Sequence, residues 1–287
     1  TITKTLNLCL NGYTIKSASG RVFDISGGTL NICNCAESGK IGAIRDSDGT
    51  SSTDKVGGAF YVRKSGKLNM YGGRIENCTA NNGGALYLTS GSVLLNGVTI
   101  TGCTAATVGS AIYIRGDNNP TCTLEDCEIS GNPATSSGAV YVQRSKAGQY
   151  TGLKLVGNVK ITDNKKDGAE INLVLAKNAR IDATELGAKA QIGIMAADAT
   201  PVEFGAASED VSGCFTSDVK GKVIRYETGK LILDEYTHVH PVCGDADACE
   251  DSHADQAWAS WDGKAVETGK EHYLYLADDV TISSTLT

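Results

Sequence analysis

The stretch Gly83-Gly-Ala-Leu-Tyr-Leu88 decides the fold, because close copies of it recur along the chain at a nearly constant spacing. The copies are Gly57-Gly-Ala-Phe-Tyr-Val62, Gly109-Ser-Ala-Ile-Tyr-Ile114 and Ser137-Gly-Ala-Val-Tyr-Val142. The alanine of each copy follows the previous one after 26, 26 and 28 residues. A fixed period of this length indicates a solenoid, in which each repeat buries its apolar face only by stacking on its neighbours.

Two further strands are predicted in each period. Ile75, Ile100 and Ile129 recur at spacings of 25 and 29 residues. Short alternating segments precede these isoleucines, such as the one that contains Val93 and Leu95. Because no segment shows helical periodicity over ten residues, three short strands in about 25 residues predict an all-β fold, the parallel β-helix. A leucine-rich repeat would need denser leucines, and a propeller blade would need roughly 40 residues.

Four cysteines fall on repeat positions and are expected inside the solenoid. Cys78 and Cys103 occupy the position that Asn132 and Asn164 occupy in later coils. Two more cysteines align with apolar residues of neighbouring coils: Cys122 with Leu68 and Val93, and Cys127 with Val98 and Val159. We expect buried free thiols that serve as small apolar side chains. A disulfide between stacked coils is the alternative, since adjacent strands lie about 4.8 Å apart.

The coils around residues 57–142, with their Gly-Gly-Ala-x-Tyr-Val pattern, resemble the pectate-lyase-like right-handed parallel β-helices of large Gram-positive bacterial cell-surface, adhesin-like proteins. The resemblance covers about residues 1–175. It implies a right-handed solenoid, a secreted or cell-surface location and neighbouring repeats of the same chain. It implies little about activity, because such solenoids carry lyases, hydrolases and adhesins alike.

The sequence changes character along its length, which predicts four segments. They are the β-helix coils (1–174), a C-terminal β cap (175–234), a small Cys/His/Trp module (235–270) and a final segment (271–287). The cap is expected because a solenoid must cover its last coil, and a hairpin around Glu227-Thr-Gly229 would close it. The final segment either begins a following repeat or is a strand that pairs back onto the cap.

The module concentrates metal-ligating residue types. His240, Cys243, Cys249 and His253 form two pairs at spacings typical of zinc knuckles, with His238 as an alternative ligand. A structural zinc ion would supply stability that so small a segment lacks by burial alone. A Cys243–Cys249 disulfide and a linker without metal are the alternatives.

Two tryptophans follow this cluster. Trp258 and Trp261 are candidate ligand-binding residues, because indole rings stack on sugars. They would otherwise form a miniature core for the module.

The composition excludes some functions and favours others. The formal net charge of −7 disfavours nucleic-acid binding, and no apolar run is long enough to span a membrane. No histidine occurs before His238, and the acids Asp126 and Asp163 suggest no nucleophile–base pair. We therefore expect a non-catalytic extracellular module that binds a host glycoprotein, such as a mucin or an antibody, or a glycan. The alternatives are a polysaccharide-active lyase or glycosidase and a structural stalk.

The zinc hypothesis makes a testable prediction. Elemental analysis of the purified chain should give about one zinc per chain, as expected of a closed four-ligand site. Chelation, or the substitution Cys243→Ser, should disorder residues 235–270 and leave the β-helix folded, since the solenoid has its own core. A metal-free chain whose module resists chelators would contradict zinc and leave the disulfide or the plain linker.

Overall fold

The structure, a computed structural model, describes residues 1–235 except 18, 37–38, 136 and 145–149, together with 259–260 and 274–275. The chain divides into two compact units, Thr1–Asp234 and Glu235–Thr287. The first unit is a parallel β-helix of about seven turns, which confirms the predicted fold class. Among the described residues, no helix has the length and apolarity needed to cross a membrane.

One face of the solenoid, face A, is a single sheet with a strand from every coil. Its parallel strands, in order, are β1 (Thr5–Cys9), β4 (Thr29–Cys33), β7 (Lys67–Tyr71), β11 (Ser92–Asn96), β15 (Thr121–Glu125), β18 (Tyr150–Gly157), β23 (Ala179–Leu186) and β25 (Val202–Ala206). Neighbouring strands align residue by residue, so that Leu30 stands beside Leu68 and Ile32 beside Met70.

The two other faces belong to one larger sheet. Face B contains β2 (Thr14–Ile15), β5 (Ala43–Arg45), β8 (Arg74–Glu76), β12 (Thr99–Thr101), β16 (Glu128–Ile129) and β19 (Lys160–Ile161). Face C contains β3 (Phe23–Ser26), β6 (Phe60–Arg63), β10 (Leu86–Leu88), β14 (Ile112–Arg115), β17 (Val140–Gln143) and β22 (Leu173–Leu175). The strand β24 (Gln191–Ala196) joins them, because its first residues pair with β19 and its last residues pair with β22.

Short strand pairs lie outside the three faces. They are the parallel pair β9 (Thr79–Asn82) and β13 (Thr104–Val108), the antiparallel pair β20 (Lys165–Lys166) and β21 (Ala169–Glu170), and, in the second unit, the parallel pair β29 (Ala259–Ser260) and β30 (Leu274–Tyr275). In the last pair, Leu274 and Tyr275, the described residues of the segment predicted at 271–287, stand beside Ala259 and Ser260.

The interior of the solenoid is built from stacked side chains. Ile75, Ile100, Ile129 and Ile161 stand in register on consecutive strands of face B, and each is fully buried. This ladder confirms the strand that the spacing of Ile75, Ile100 and Ile129 predicts, and Ile161 extends it by one coil. Burying such a side chain contributes about 1.5–3 kcal/mol, so the stack of isoleucines is a major source of the stability of the coils.

A second interior ladder changes from sulfur to amide along the axis. The backbone N–H of Cys103 donates to Asn132 Oδ1 at 2.9 Å, and Asn132 Nδ2 donates to Asn164 Oδ1 at 2.9 Å. Asn164 Nδ2 donates in turn to Asn172 Oδ1 at 3.0 Å. The asparagines are buried, so these bonds satisfy amides that would otherwise be costly inside the protein. The predicted equivalence of Cys103, Asn132 and Asn164 is therefore confirmed.

Antiparallel pairing closes the C-terminal end. Parallel stacking continues beyond residue 174 through β23 and β24, and β26 (Phe215–Ser217) still pairs with β24 in parallel. The strand β28 (Lys230–Glu235) then pairs antiparallel with β25, and its outer neighbour is β27 (Lys222–Glu227). The two-residue connection between β27 and β28 gives the expected closing hairpin, and Leu231 and Leu233 are buried against the last coil.

The interior cysteines generate a prediction about thiol reactivity. Cys78, Cys103, Cys122 and Cys127 are buried and unpaired, as expected from their repeat positions. Burial raises the pKa of Cys103 and Cys122 and raises that of Cys127 to about 11. A hydrogen bond with Cys103 lowers the pKa of Cys78 to about 7, so complete burial is what protects this thiol from the reagent. We expect none of the four to react with iodoacetamide at neutral pH in the folded chain, and all four to react after unfolding without reductant, as read by peptide mass spectrometry.

The half-buried thiol of Cys214 is the control for this experiment, since it should label in the folded state. Fast labelling of an interior cysteine in the folded chain, or its recovery in a disulfide, would contradict the ladder.

Candidate binding site

A ladder of tyrosines runs along the outer side of face C. Tyr61, Tyr87, Tyr113 and Tyr141 align on β6, β10, β14 and β17, and their ring centroids are 5.3, 5.0 and 5.6 Å apart. The rings point outward because strand residues alternate, and their neighbours in β6, Phe60 and Val62, belong to the core. Contacts at these centroid separations are favourable between aromatic rings.

The tyrosine ladder is covered in the middle and accessible at its ends. Val56 and Val108 pack on it, and Tyr87 and Tyr113 are each only 7% exposed. Tyr61 and Tyr141 are partly exposed. The ladder therefore offers no long open aromatic surface, and arginine side chains join it at its Tyr61 end.

Arginine side chains pack on Tyr61. The guanidinium carbon of Arg21 lies 4.8 Å from the ring centroid, and that of Arg63 lies 5.3 Å from it. The Arg21 side chain is 9% exposed, and its Nη2 lies 3.5 Å from Asp54 Oδ2. Its buried Nη1 has no hydrogen-bond partner. Burial lowers the pKa of Arg21, and the face of the tyrosine ring compensates part of this cost.

Arg63 and Asp24 form a bidentate ion pair beside this stack. Arg63 Nε donates to Asp24 Oδ1 at 2.9 Å, and Nη2 donates to Oδ2 at 2.7 Å. The hydrogen bonds from Arg63 lower the pKa of Asp24, and the same bonds raise the pKa of Arg63. The register of β3 and β6 creates the pair, because Asp24 stands beside Tyr61 and Arg63 beside Ser26.

These side chains border an open polar cavity of about 560 Å³, which we call the Arg21 pocket. Two guanidinium groups and two carboxylates line it, together with the hydroxyl groups of Ser19, Ser51, Ser52 and Thr53. The Ser52 hydroxyl accepts a hydrogen bond from the backbone N–H of Arg21 at 3.0 Å, which fixes the loop against β3. The pocket thus presents donors and acceptors with no net charge from its side chains, which suits a ligand rich in hydroxyl groups.

The metal-binding and sugar-binding residues predicted from the sequence belong to the module at 235–270. Their zinc-binding and sugar-binding roles stay predictions, because all of them fall outside the described residues. They are His238, His240, Cys243, Cys249, His253, Trp258 and Trp261.

The acids considered for catalysis have structural contacts. Asp126 Oδ1 accepts a hydrogen bond from the backbone N–H of Asn158 at 2.7 Å, across the coil boundary. Asp163 lies 3.8 Å from Lys165 Nζ at an exposed turn. Neither position combines a buried acid with a nucleophile or a base.

A cysteine cluster near the N-terminus was missed by the sequence reasoning. Cys9 and Cys35 form a disulfide, and Cys33 Sγ lies 3.2 Å from Cys35 Sγ. All three sulfur atoms lie within 4.8 Å of one another, so this group could hold a metal ion. The signal was present in the sequence, because Thr5-Leu-Asn-Leu-Cys9 and Thr29-Leu-Asn-Ile-Cys33 are copies of one pentapeptide.

No family model, no curated protein and no solved structure matches this chain.

The Asp24–Arg63 pair predicts a pH dependence of stability. Since the folded pKa of Asp24 lies below its ordinary value of 3.8, the pair stabilises the fold above that pH and loses its effect as the pH falls through the lowered folded value. We expect Asp24→Asn to lower the free energy of unfolding by about 1–2 kcal/mol at pH 7 and by much less at pH 2. Urea unfolding of the unaltered chain and of the Asp24→Asn variant, each at pH 7 and pH 2, measures this difference in the free energy of unfolding.

The exposed turn residue Asp167 supplies a matched control, Asp167→Asn, which should leave stability unchanged within about 0.5 kcal/mol. An Asp24→Asn effect of equal size at both pH values would show that the ion pair is not its cause.

Proposed function

We propose that this chain is a non-catalytic, extracellular surface module of a tandem-repeat bacterial protein and that it binds a glycan, free or on a host glycoprotein. The Arg21 pocket is the observation that carries the proposal. The resemblance of the coils at 57–142 to those of pectate-lyase-like, adhesin-like surface proteins supports the cell-surface setting.

The chemistry of the pocket favours a sugar over other ligands. Sugar hydroxyls both donate and accept hydrogen bonds, and the pocket supplies guanidinium donors, carboxylate acceptors and serine hydroxyls side by side. The bidentate ion pair fixes the side chains of Asp24 and Arg63 before a ligand binds, so binding costs little side-chain conformational entropy there. One face of Tyr61 is already occupied by Arg21, so polar contacts would dominate recognition.

The electrostatics of the pocket favour binding over glycoside hydrolysis. A glycosidase needs one carboxylic acid that stays protonated near neutral pH, which requires a raised pKa. Hydrogen bonds from Arg63 lower the pKa of Asp24 instead. Burial does raise the pKa of Asp218, but this carboxylate bonds to Asn172 at the end of the interior ladder. It therefore has a structural partner inside the protein.

A polysaccharide lyase is the second candidate. Such an enzyme removes a proton with a basic group placed among acids, and burial lowers the pKa of Arg21 beside Asp24 and Asp54. Release of unsaturated uronate ends from an acidic polysaccharide, followed by their ultraviolet absorbance, would distinguish this reaction from binding alone.

The second unit extends the proposal. A structural zinc ion held by His240, Cys243, Cys249 and His253 would fold the module, and Trp258 and Trp261 would offer it a sugar-stacking surface. Neighbouring modules of the same chain would raise the effective affinity through multivalency. A stalk that merely extends such an array is the remaining alternative, and it needs no pocket.

The binding proposal predicts a localised loss of function. A glycan array probed with the purified chain should identify a ligand, and Asp54→Ala should weaken binding to that ligand at least tenfold because a pocket acceptor is lost. Arg225→Ala, in the partly exposed guanidinium of the cap strand β27, is the matched control and should bind as the unaltered chain does. Equal binding by the Asp54→Ala chain would place the ligand elsewhere on the molecule.

A further inference from the structure

The register of the first two coils brings two cysteines together on the outside of face A. Cys9 and Cys33 are direct partners on β1 and β4, so their backbones are about 4.8 Å apart. Their side chains point outward, because Leu30 and Ile32 occupy the inward positions of β4. Asn31 Nδ2 donates to Asn7 Oδ1 at 2.6 Å two residues upstream, which fixes this register. The two sulfur atoms are therefore neighbours whatever their oxidation state.

The third cysteine is placed by a turn that Asn34 organises. Asn34 Oδ1 accepts hydrogen bonds from the backbone N–H groups of Gly12 at 2.9 Å and Gly42 at 3.0 Å. Its Nδ2 donates to the carbonyl of Lys40 at 3.0 Å. Because Asn34 lies between Cys33 and Cys35, these three bonds hold both cysteines at once. The cluster is thus fixed by the backbone and does not depend on the disulfide alone.

The positions of the sulfur atoms fit a metal ion. A zinc ion with Zn–S bonds of about 2.3 Å places two ligand sulfurs roughly 3.8 Å apart in tetrahedral geometry. The three sulfur atoms already lie within 4.8 Å of one another, so small side-chain rotations suffice. The backbone N–H of Cys35 lies 3.4 Å from Cys9 Sγ, where it can stabilise a thiolate. Cys9 and Cys35 are exposed, so an ion can enter and the fourth position stays open.

We propose that reduced Cys9, Cys33 and Cys35 form a three-thiolate site for one thiophilic metal ion of the zinc class, and that the Cys9–Cys35 disulfide is its closed form. A dithiol reductant opens the site: its two thiols supply two electrons and two protons, the Cys9–Cys35 bond breaks, and the reductant leaves as its own disulfide. Metal binding then releases up to three protons from the cysteine thiols. This site shares no residue with the Arg21 pocket or with the zinc ligands predicted in the module at 235–270.

Cadmium is the probe, because its thiolate bonds are visible as charge-transfer absorption in the ultraviolet. The experiment uses the full chain with Cys243→Ser and Cys249→Ser, which removes the two predicted thiolate ligands of the module. The chain is reduced, freed of reductant without oxygen and titrated with Cd²⁺. We expect about one equivalent to bind, and none in the chain that was never reduced.

Substitutions then assign the ligands. In the same background, Cys33→Ser and Cys9→Ser should each weaken Cd²⁺ binding at least tenfold, while Cys214→Ser, a half-buried thiol on the cap side, should leave it unchanged. Circular dichroism checks that each variant is folded, which is expected since Cys9 and Cys33 lie outside the core. A reduced chain that takes up no Cd²⁺ would overturn the proposal. Uptake that Cys33→Ser and Cys9→Ser leave unchanged would overturn it equally.

Discussion

In-register stacking of parallel strands is the constraint on which this structure depends. When each residue stands about 4.8 Å above its equivalent in the previous coil, every position of the repeat becomes a column of like side chains. A column accommodates only side chains that make favourable contacts with similar side chains. Isoleucines satisfy this by apolar contact, asparagines by amide-to-amide hydrogen bonds and tyrosines by ring contacts. The interior ladders and the outer ladder therefore share a single cause.

The columns explain how much the sequence could predict. Where the period holds, as at Ile100 and Asn132, spacing alone assigns a residue to the interior, and the structure agrees. The same rule pairs Cys9 with Cys33, but the clearest copies of the repeat begin only at Gly57, so the signal for the first two coils is weaker. Local motif spacing drew attention instead to the histidines and cysteines of the module, about which the described residues say nothing.

The Arg21 pocket was beyond sequence reasoning for a different physical reason. Its loop residues, among them Ser52 and Asp54, lie in an excursion between coils that has no counterpart in the repeat, so no column predicts their positions. Their location depends on hydrogen bonds such as the one from Arg21 to Ser52, which join segments that are distant in sequence. Solenoids of this kind combine a predictable interior with non-repeated loops, and the loops carry the residues that differ between such proteins.

The merging of faces B and C in β24 has a consequence for how such a chain can evolve. Before β24, each coil supplies one strand to each of the three faces. A duplication or deletion of one complete period therefore leaves the interior side chains of the remaining coils in register. Only the distance between the Arg21 pocket and the antiparallel closure changes, by about 4.8 Å for each coil. Beyond β24, the pairing with β26 and the antiparallel pairing of β25 with β28 occupy the end of the solenoid, so a coil added there would have to replace them. We therefore expect changes in length to occur in the middle of the solenoid, between the Arg21 pocket and β24.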